Sequence, residues 1–190
     1  MTQLHRVLLL CLFLLPTSVS AQNNDFAPCG VVDAIDYPID TVSMISGTLS
    51  RGGDDFGRFR RRYDGIHVGL DVAFNRYGDP VYAAARGRVT YADPEGWDIN
   101  RGVVIVEHVF PDDSITYSLY GHVEETETIR LPAQGTCVER GEIVGTVGDP
   151  EQGLPHLHYE IRRFLPSDGG PGYIDGNPAE SGWLHPLDFT

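Results

Sequence analysis

From about residue 66 the chain alternates between apolar and polar positions. In "IHVGLDVAF", Val68, Leu70 and Val72 fall on one side and His67, Gly69 and Asp71 on the other. That is the period of a half-buried strand. "PVYAAARGRVTYA" reads as two short strands around a turn at Gly87. "GVVIVEHVF" is a near-continuous apolar run, and "SITYSLYGHV" is rich in β-branched and aromatic residues; both predict strands. "VERGEIVGTVG" gives short strands punctuated by Gly141, Gly145 and Gly148, and "LHYEIRRF" gives the last clear strand. No helix of three turns is expected after the first segment. The class is mainly β, a compact barrel or sandwich.

The ends read differently. "MTQLHRVLLLCLFLLPTSVSAQ" has Arg6 in a short basic start, an apolar run from Val7 to Leu15, and small residues at the exit. The run is too short to span a bilayer comfortably. It predicts a secretory signal peptide cut near Ala21, hence an exported, periplasmic or extracellular protein with no stable membrane anchor after cleavage. Residues 22–50 carry little pattern and form a lead-in. A Gly/Pro-rich loop, "PSDGGPGYIDGNPAESG", precedes the terminal "WLHPLDF".

Export gives the cysteines a meaning. Beyond the predicted cleavage point the chain keeps two, Cys29 and Cys137. An even pair in an oxidising compartment predicts a disulfide between them, tying the lead-in to the domain. Charge excludes a class of partner. The formal net charge is −13 and every basic residue is arginine, so binding nucleic acid by phosphate neutralisation is not expected. Four arginines nevertheless crowd into "GRFRRRYDG": Arg58, Arg60, Arg61 and Arg62. They form either a local carboxylate-binding patch or a solvated loop that balances nearby acids.

The candidate chemistry lies in the histidines. In "LPHLHYE" the side chains of His156 and His158 project in parallel if the segment is a strand, with Leu157 and Tyr159 facing the other way. "HVGLD" places His67 and Asp71 on one side, although in a straight strand their Cα atoms would be roughly 13 Å apart. A bend is therefore expected between them, at Gly69. His67, Asp71 and His158 together would leave the fourth position of a tetrahedral zinc open to water, the mark of a catalytic and not a structural site. The other histidine of the pair is left over, as is His122 in "LYGHV". Such histidines are candidates for general base or oxyanion stabiliser. Tyr120, two residues before His122, is a candidate substrate contact. His108 and His185 lie outside these motifs and are read as structural.

In order and spacing, "HVGLD", "PVYAAARGRV", "VVIVEH", "LYGHV", "VERGEIVGTVG" and "PHLHYEIR" resemble the lysostaphin/LytM-type zinc endopeptidases that cut bacterial peptidoglycan. The resemblance runs from about residue 50 to 163. It implies a fold of the barrel-sandwich hybrid (duplicated hybrid motif) type with a narrow groove. It implies one zinc per chain held by His67, Asp71 and His158, with His122 and His156 as catalytic histidines. It implies peptide hydrolysis by a metal-activated water, with peptidoglycan peptides as the partner. A wall-binding module, or an activator of another wall hydrolase on the same scaffold, is the alternative. The expected division is a signal peptide at 1–21, a lead-in at 22–50, a zinc endopeptidase domain at 51–165, and a loop and tail at 166–190 packed on that domain.

Overall fold

The computed structural model describes residues 27–40, 55–165, 169–170 and 172–189. The predicted signal peptide and its cleavage point lie outside the described residues. The elements run β1 (Phe59–Arg60), β2 (Gly65–His67), β3 (Leu70–Val72), β4 (Pro80–Tyr82), β5 (Gly87–Asp93), a 3-10 turn (Asp98–Asn100), β6 (Gly102–Val109), β7 (Ile115–Glu124), β8 (Cys137–Val138), β9 (Ile143–Val147), β10 (Leu157–Arg162), β11 (Tyr173–Ile174), β12 (Trp183–Leu184) and a single-turn α1 (Pro186–Phe189). The chain is mainly β, as its alternation predicts. One detail differs: Gly87 opens β5 and does not sit in the turn before it. Among the described residues no helix is long and apolar enough to cross a membrane.

The large sheet has the order β12-β10-β7-β6-β5-β8, with β3 added beside β10 and β9 linking β7 to β4. Every strand pairing is antiparallel. Among the described residues the sheet does not close into a barrel. A small sheet, β1-β2-β11, stands beside it. The core lies on one face, where Leu70, Val72, Val104, Val106, Leu157 and Tyr159 meet. β6 is also covered on its other face, where Val103 and Ile105 pack with Leu119, Tyr91 and Trp97. Burial on both sides explains why its sequence is an apolar run and not an alternation.

The lead-in and the tail bond to this frame. Val32 donates to the Val109 carbonyl, Asp36 to that of Ala84, and Tyr82 to that of Pro38. Cys29 is disulfide-bonded to Cys137, with Cα atoms 5.3 Å apart. At the tail, β11 pairs with β2 and β12 with β10. Inside the sheet His108 is buried between the Arg86 carbonyl (Nδ1, 2.8 Å) and the Ser118 hydroxyl (Nε2, 2.8 Å). Burial pushes its pKa down to about 4.

Two predictions follow from these contacts. The disulfide closes a loop of 108 residues, so the double variant Cys29→Ser/Cys137→Ser should lose up to about 4–5 kcal/mol of stability on a chain-entropy estimate. Urea unfolding of the oxidised protein and the double variant measures it. His108 adds a pH dependence. In the unfolded chain it takes a proton near pH 6.5, whereas the fold keeps it neutral down to about pH 4. Its contribution is fully present above about pH 6.5 and is lost as pH falls toward 4, by roughly 3 kcal/mol at most. Between pH 7.5 and 4.5 the urea midpoint of His108→Gln should fall less than that of the parent.

Candidate metal centre

The site is assembled by strand register. β3 and β10 pair so that Asp71 lies directly opposite His158. Cross-strand partners share a face, so their side chains meet: His158 Nδ1 is 3.0 Å from Asp71 Oδ1. His67 arrives from β2, which ends there; β3 starts at Leu70. The expected bend therefore falls at Val68–Gly69. A Cβ on Gly69 would lie 2.7 Å from both His158 Nε2 and the Tyr159 carbonyl, so only glycine fits this corner. The bend brings His67 Nε2 to 3.2 Å from Asp71 Oδ1 and 3.0 Å from His158 Nδ1.

These three atoms form a triangle with edges of 3.0–3.2 Å. Tetrahedral bonds of about 2.0–2.1 Å to one zinc require donors about 3.3–3.4 Å apart. The donor set fits a zinc with little adjustment. The outward atoms of the two rings are already engaged. His67 Nδ1 faces Asp55, 3.3 Å from its carbonyl and 3.5 Å from Oδ1. His158 Nε2 bonds Glu160 at 2.8 Å. An Nε2–H donated to Glu160 leaves the His158 Nδ1 lone pair directed at the centre of the triangle.

The electrostatics favour a cation there. Burial pulls the His67 pKa down, but Asp71 and Asp55 outweigh it and hold it at about 10. Burial would raise Asp71, yet His67 and His156 keep it well below the usual carboxylate range. His158 is raised against its burial by Asp71 and Glu160.

The two remaining histidines are oriented in one way. His156 Nδ1 bonds the Leu154 carbonyl and His122 Nδ1 the Asn100 carbonyl, each at 2.7 Å. A carbonyl only accepts, so Nδ1 carries a proton in both rings, and Nε2 is the acceptor in whichever ring is neutral. His156 Nε2 is 3.4 Å from Asp71 Oδ1, and the His122 and His156 ring centroids are 4.5 Å apart. Burial, followed by the neighbouring His156 and His158, pushes His122 down to about 3, keeping it neutral.

His122 reaches this position through a bulge. Gly121 pairs with Val103 and Val123 with Gly102, so His122 is the extra residue. Its φ of 59° is left-handed, as such a bulge allows. This corrects the expectation for Tyr120. The bulge breaks the two-residue alternation, so Tyr120 does not share a face with His122. Tyr120 is fully buried in the core, its hydroxyl bonded to Ala84 N–H and Ser118. It does not line the cleft.

The cleft over the centre is about 690 Å³. His122, His156, His158 and Asp71 line it, with Trp97, Tyr173 and the arginine hairpin. Trp97 packs edge-on against His122 and His158 and donates to the Gly170 carbonyl at 2.6 Å. It fits because the residue opposite His158 on β7 is Gly121, whose Cβ would come within 2.3 Å of the indole. His108 and His185 lie outside the cleft; the latter accepts the Leu187 N–H at the start of α1.

Sequence reading missed Glu160. It lies two residues beyond His158, so the alternation that paired the histidines also pointed to it. Glu160 is fully buried and accepts from His158, Arg162 Nε (2.7 Å) and Trp183 Nε1 (2.8 Å). The Asn100 and Leu154 carbonyls had no signal, because backbone acceptors leave no mark in side-chain pattern.

Residues 65–173 match the family model for Peptidase family M23. No curated protein matches the chain. Several solved structures share the fold, these three among them. One is a zinc-containing peptidase from Vibrio cholerae, 24% identical with a TM-score of 0.52 over 75% of this chain and 41% of that one. Another is the catalytic domain of the antimicrobial peptidase lysostaphin from Staphylococcus simulans, 21% identical with a TM-score of 0.51 over 72% of this chain and 89% of that one. The third is CbpA from L. salivarius REN, 20% identical with a TM-score of 0.53 over 83% of this chain and 94% of that one. The chain thus spans less than half the length of the Vibrio peptidase.

Glu160 sets the orientation of His158, which gives a prediction. Glu160→Gln should weaken binding of a divalent metal about 10–100-fold. Competition with a chromophoric chelator reads this directly. Unchanged affinity would remove Glu160 from the account.

Proposed function

The chain belongs to peptidase family M23, and from that premise we propose that it is an exported zinc metalloendopeptidase cutting peptide bonds in bacterial peptidoglycan. The observation that carries this reading is the division of four clustered histidines, three lining the cleft and His67 fully buried against His158. His67 Nε2 and His158 Nδ1 converge with Asp71 on one point, while His122 and His156 each tie Nδ1 to a backbone carbonyl. Two convergent rings suit ligands, and two rings fixed at Nδ1 suit proton transfer.

His67, Asp71 and His158 would hold one zinc. When bound, the metal polarises the scissile carbonyl and lowers the pKa of water toward neutrality. The chain's own groups supply the rest. One of His122 and His156 takes the proton of the attacking water at Nε2. A ring that has taken a proton then donates it, to the developing oxyanion or to the leaving amine. The carbonyls of Asn100 and Leu154 fix the tautomer of both rings, so neither has to reorient before it acts. Trp97 and Tyr173 wall the cleft. Tyr173 belongs to the tail and pairs with His67, so this part of the tail acts with the peptidase unit. The disulfide suits an oxidising compartment, in keeping with export.

Purified peptidoglycan incubated with the mature protein should release peptide fragments by mass spectrometry, and a chelator should abolish the release. Fragments formed equally well by metal-free protein would end the proposal. The roles should separate by mutation. His158→Ala should lose metal and activity together. His122→Ala should keep its metal and lose about 10²–10⁴-fold in turnover. Equal loss of metal from both variants would overturn the division.

A further inference from the structure

The cleft has a charge opposite to that of the molecule. The chain carries a formal net charge of −13. Yet Arg60, Arg61 and Arg62 line the cleft, and among the described residues Asp71 is its one lining carboxylate. Asp71 is itself engaged by His67, His156 and His158. Charges more than about 8 Å away are largely screened at physiological ionic strength, so this local balance, and not the net charge, is what a bound peptide meets.

Two arginines of the cleft differ from most of those elsewhere, although Arg163, outside the cleft, also forms no ion pair among the described residues. Arg76, Arg88, Arg101, Arg130 and Arg140 are each held by a carboxylate. Arg60 is held by Asp55, although its buried Nε has no acceptor among the described residues. Arg61 and Arg62 are exposed and form no ion pair among the described residues. They sit in the turn joining β1 to β2, the strand that ends at His67. Tyr63, next in the chain, stacks on Tyr173 with ring centroids 4.3 Å apart, and the Arg62 guanidinium is 5.8 Å from the Tyr63 ring. The Tyr63–Tyr173 stack ties the hairpin to the cleft wall. Among the described residues of a chain rich in carboxylates, two adjacent guanidinium groups at the entrance to the metal centre have none.

We propose that Arg61 and Arg62 bind a free carboxylate of the substrate, so that the cleft selects acidic peptides over neutral ones. This rests on the peptidase reading above and names its substrate class. A guanidinium presents paired N–H donors that match a carboxylate, and charge-assisted bonds of this kind exceed neutral ones. A carboxamide in the same place offers one acceptor, no charge, and donors that face donors.

The test uses cross-linked stem peptides from peptidoglycan in two forms, with side carboxyls free or converted to carboxamides. The zinc-loaded parent should show a kcat/KM about tenfold or more higher on the free acid, mostly through KM. In Arg61→Gln/Arg62→Gln the two forms should come within about twofold. Arg61→Lys/Arg62→Lys should retain part of the preference, since it keeps the charge and loses the paired donors. Equal rates on both forms in the parent, or a preference that survives in the Gln variant, would overturn the proposal. Binding of the same two peptides to zinc-loaded His122→Ala, read by tryptophan fluorescence, separates this failure from that of the peptidase reading. Tighter binding of the acid form with no cleavage by the parent would uphold the arginines and sink the peptidase. Cleavage with equal binding of both forms would do the reverse, and binding of neither form would overturn the carboxylate site.

Discussion

The site depends on one register: Asp71 on β3 opposite His158 on β10, with Gly121 of β7 on the other side of His158. A slip of one residue would turn Asp71 and His158 to opposite faces and send one of them into the core. The register is held from the core side. Leu70, Val72, Leu157 and Tyr159 alternate with the ligands and are buried against β4, β6 and β9. The same alternation that builds the core therefore aims the donors. Around this pair two departures from regular strand geometry supply the remaining histidines: the break at Val68–Gly69 brings in His67, and the bulge at His122 turns that ring over the cleft.

The charges behind the site form a continuous buried series, Asp71, His158, Glu160 and Arg162. Placing ions in a dry interior is costly unless each meets a partner of opposite sign. Here Glu160 faces His158 on one side and Arg162 on the other, 2.6 Å from Nη2. Trp183 of β12 adds an N–H to the same carboxylate. The series thus reaches the C-terminal strand, which explains how a tail remote in sequence can affect the His158 ring. In the cleft, the tail also supplies Gly170, Gly172 and Tyr173.

The sequence made legible what repeats at short range. Alternation in "IHVGLDVAF" and "LHYEIRRF" gave both strands and the sides of His67, Asp71, His156 and His158. Gly69 was readable as a bend because the straight-strand separation was too long for one ion. What was not legible is what breaks the period or lies on the backbone. The bulge at His122 shifts the face of every residue before it relative to those after it, so Tyr120 was assigned to the cleft when it belongs to the core. Trp97 depends on a missing side chain at Gly121, and the orientation of His122 depends on the Asn100 carbonyl; both need the fold before they can be seen. The arginine run could be read as a patch or as a solvated loop, and its position at the cleft came only with the β1–β2 hairpin.

The central claim is that two of the four histidines clustered at the site are ligands and two are not. X-ray absorption at the zinc edge of the loaded protein measures this most directly, because imidazole rings bound to the metal scatter in a pattern that free rings do not. The account predicts a first shell of nitrogen and oxygen with two imidazoles, unchanged in a His122→Ala/His156→Ala double variant. Three or four bound imidazoles, or a first shell altered by that double substitution, would contradict it.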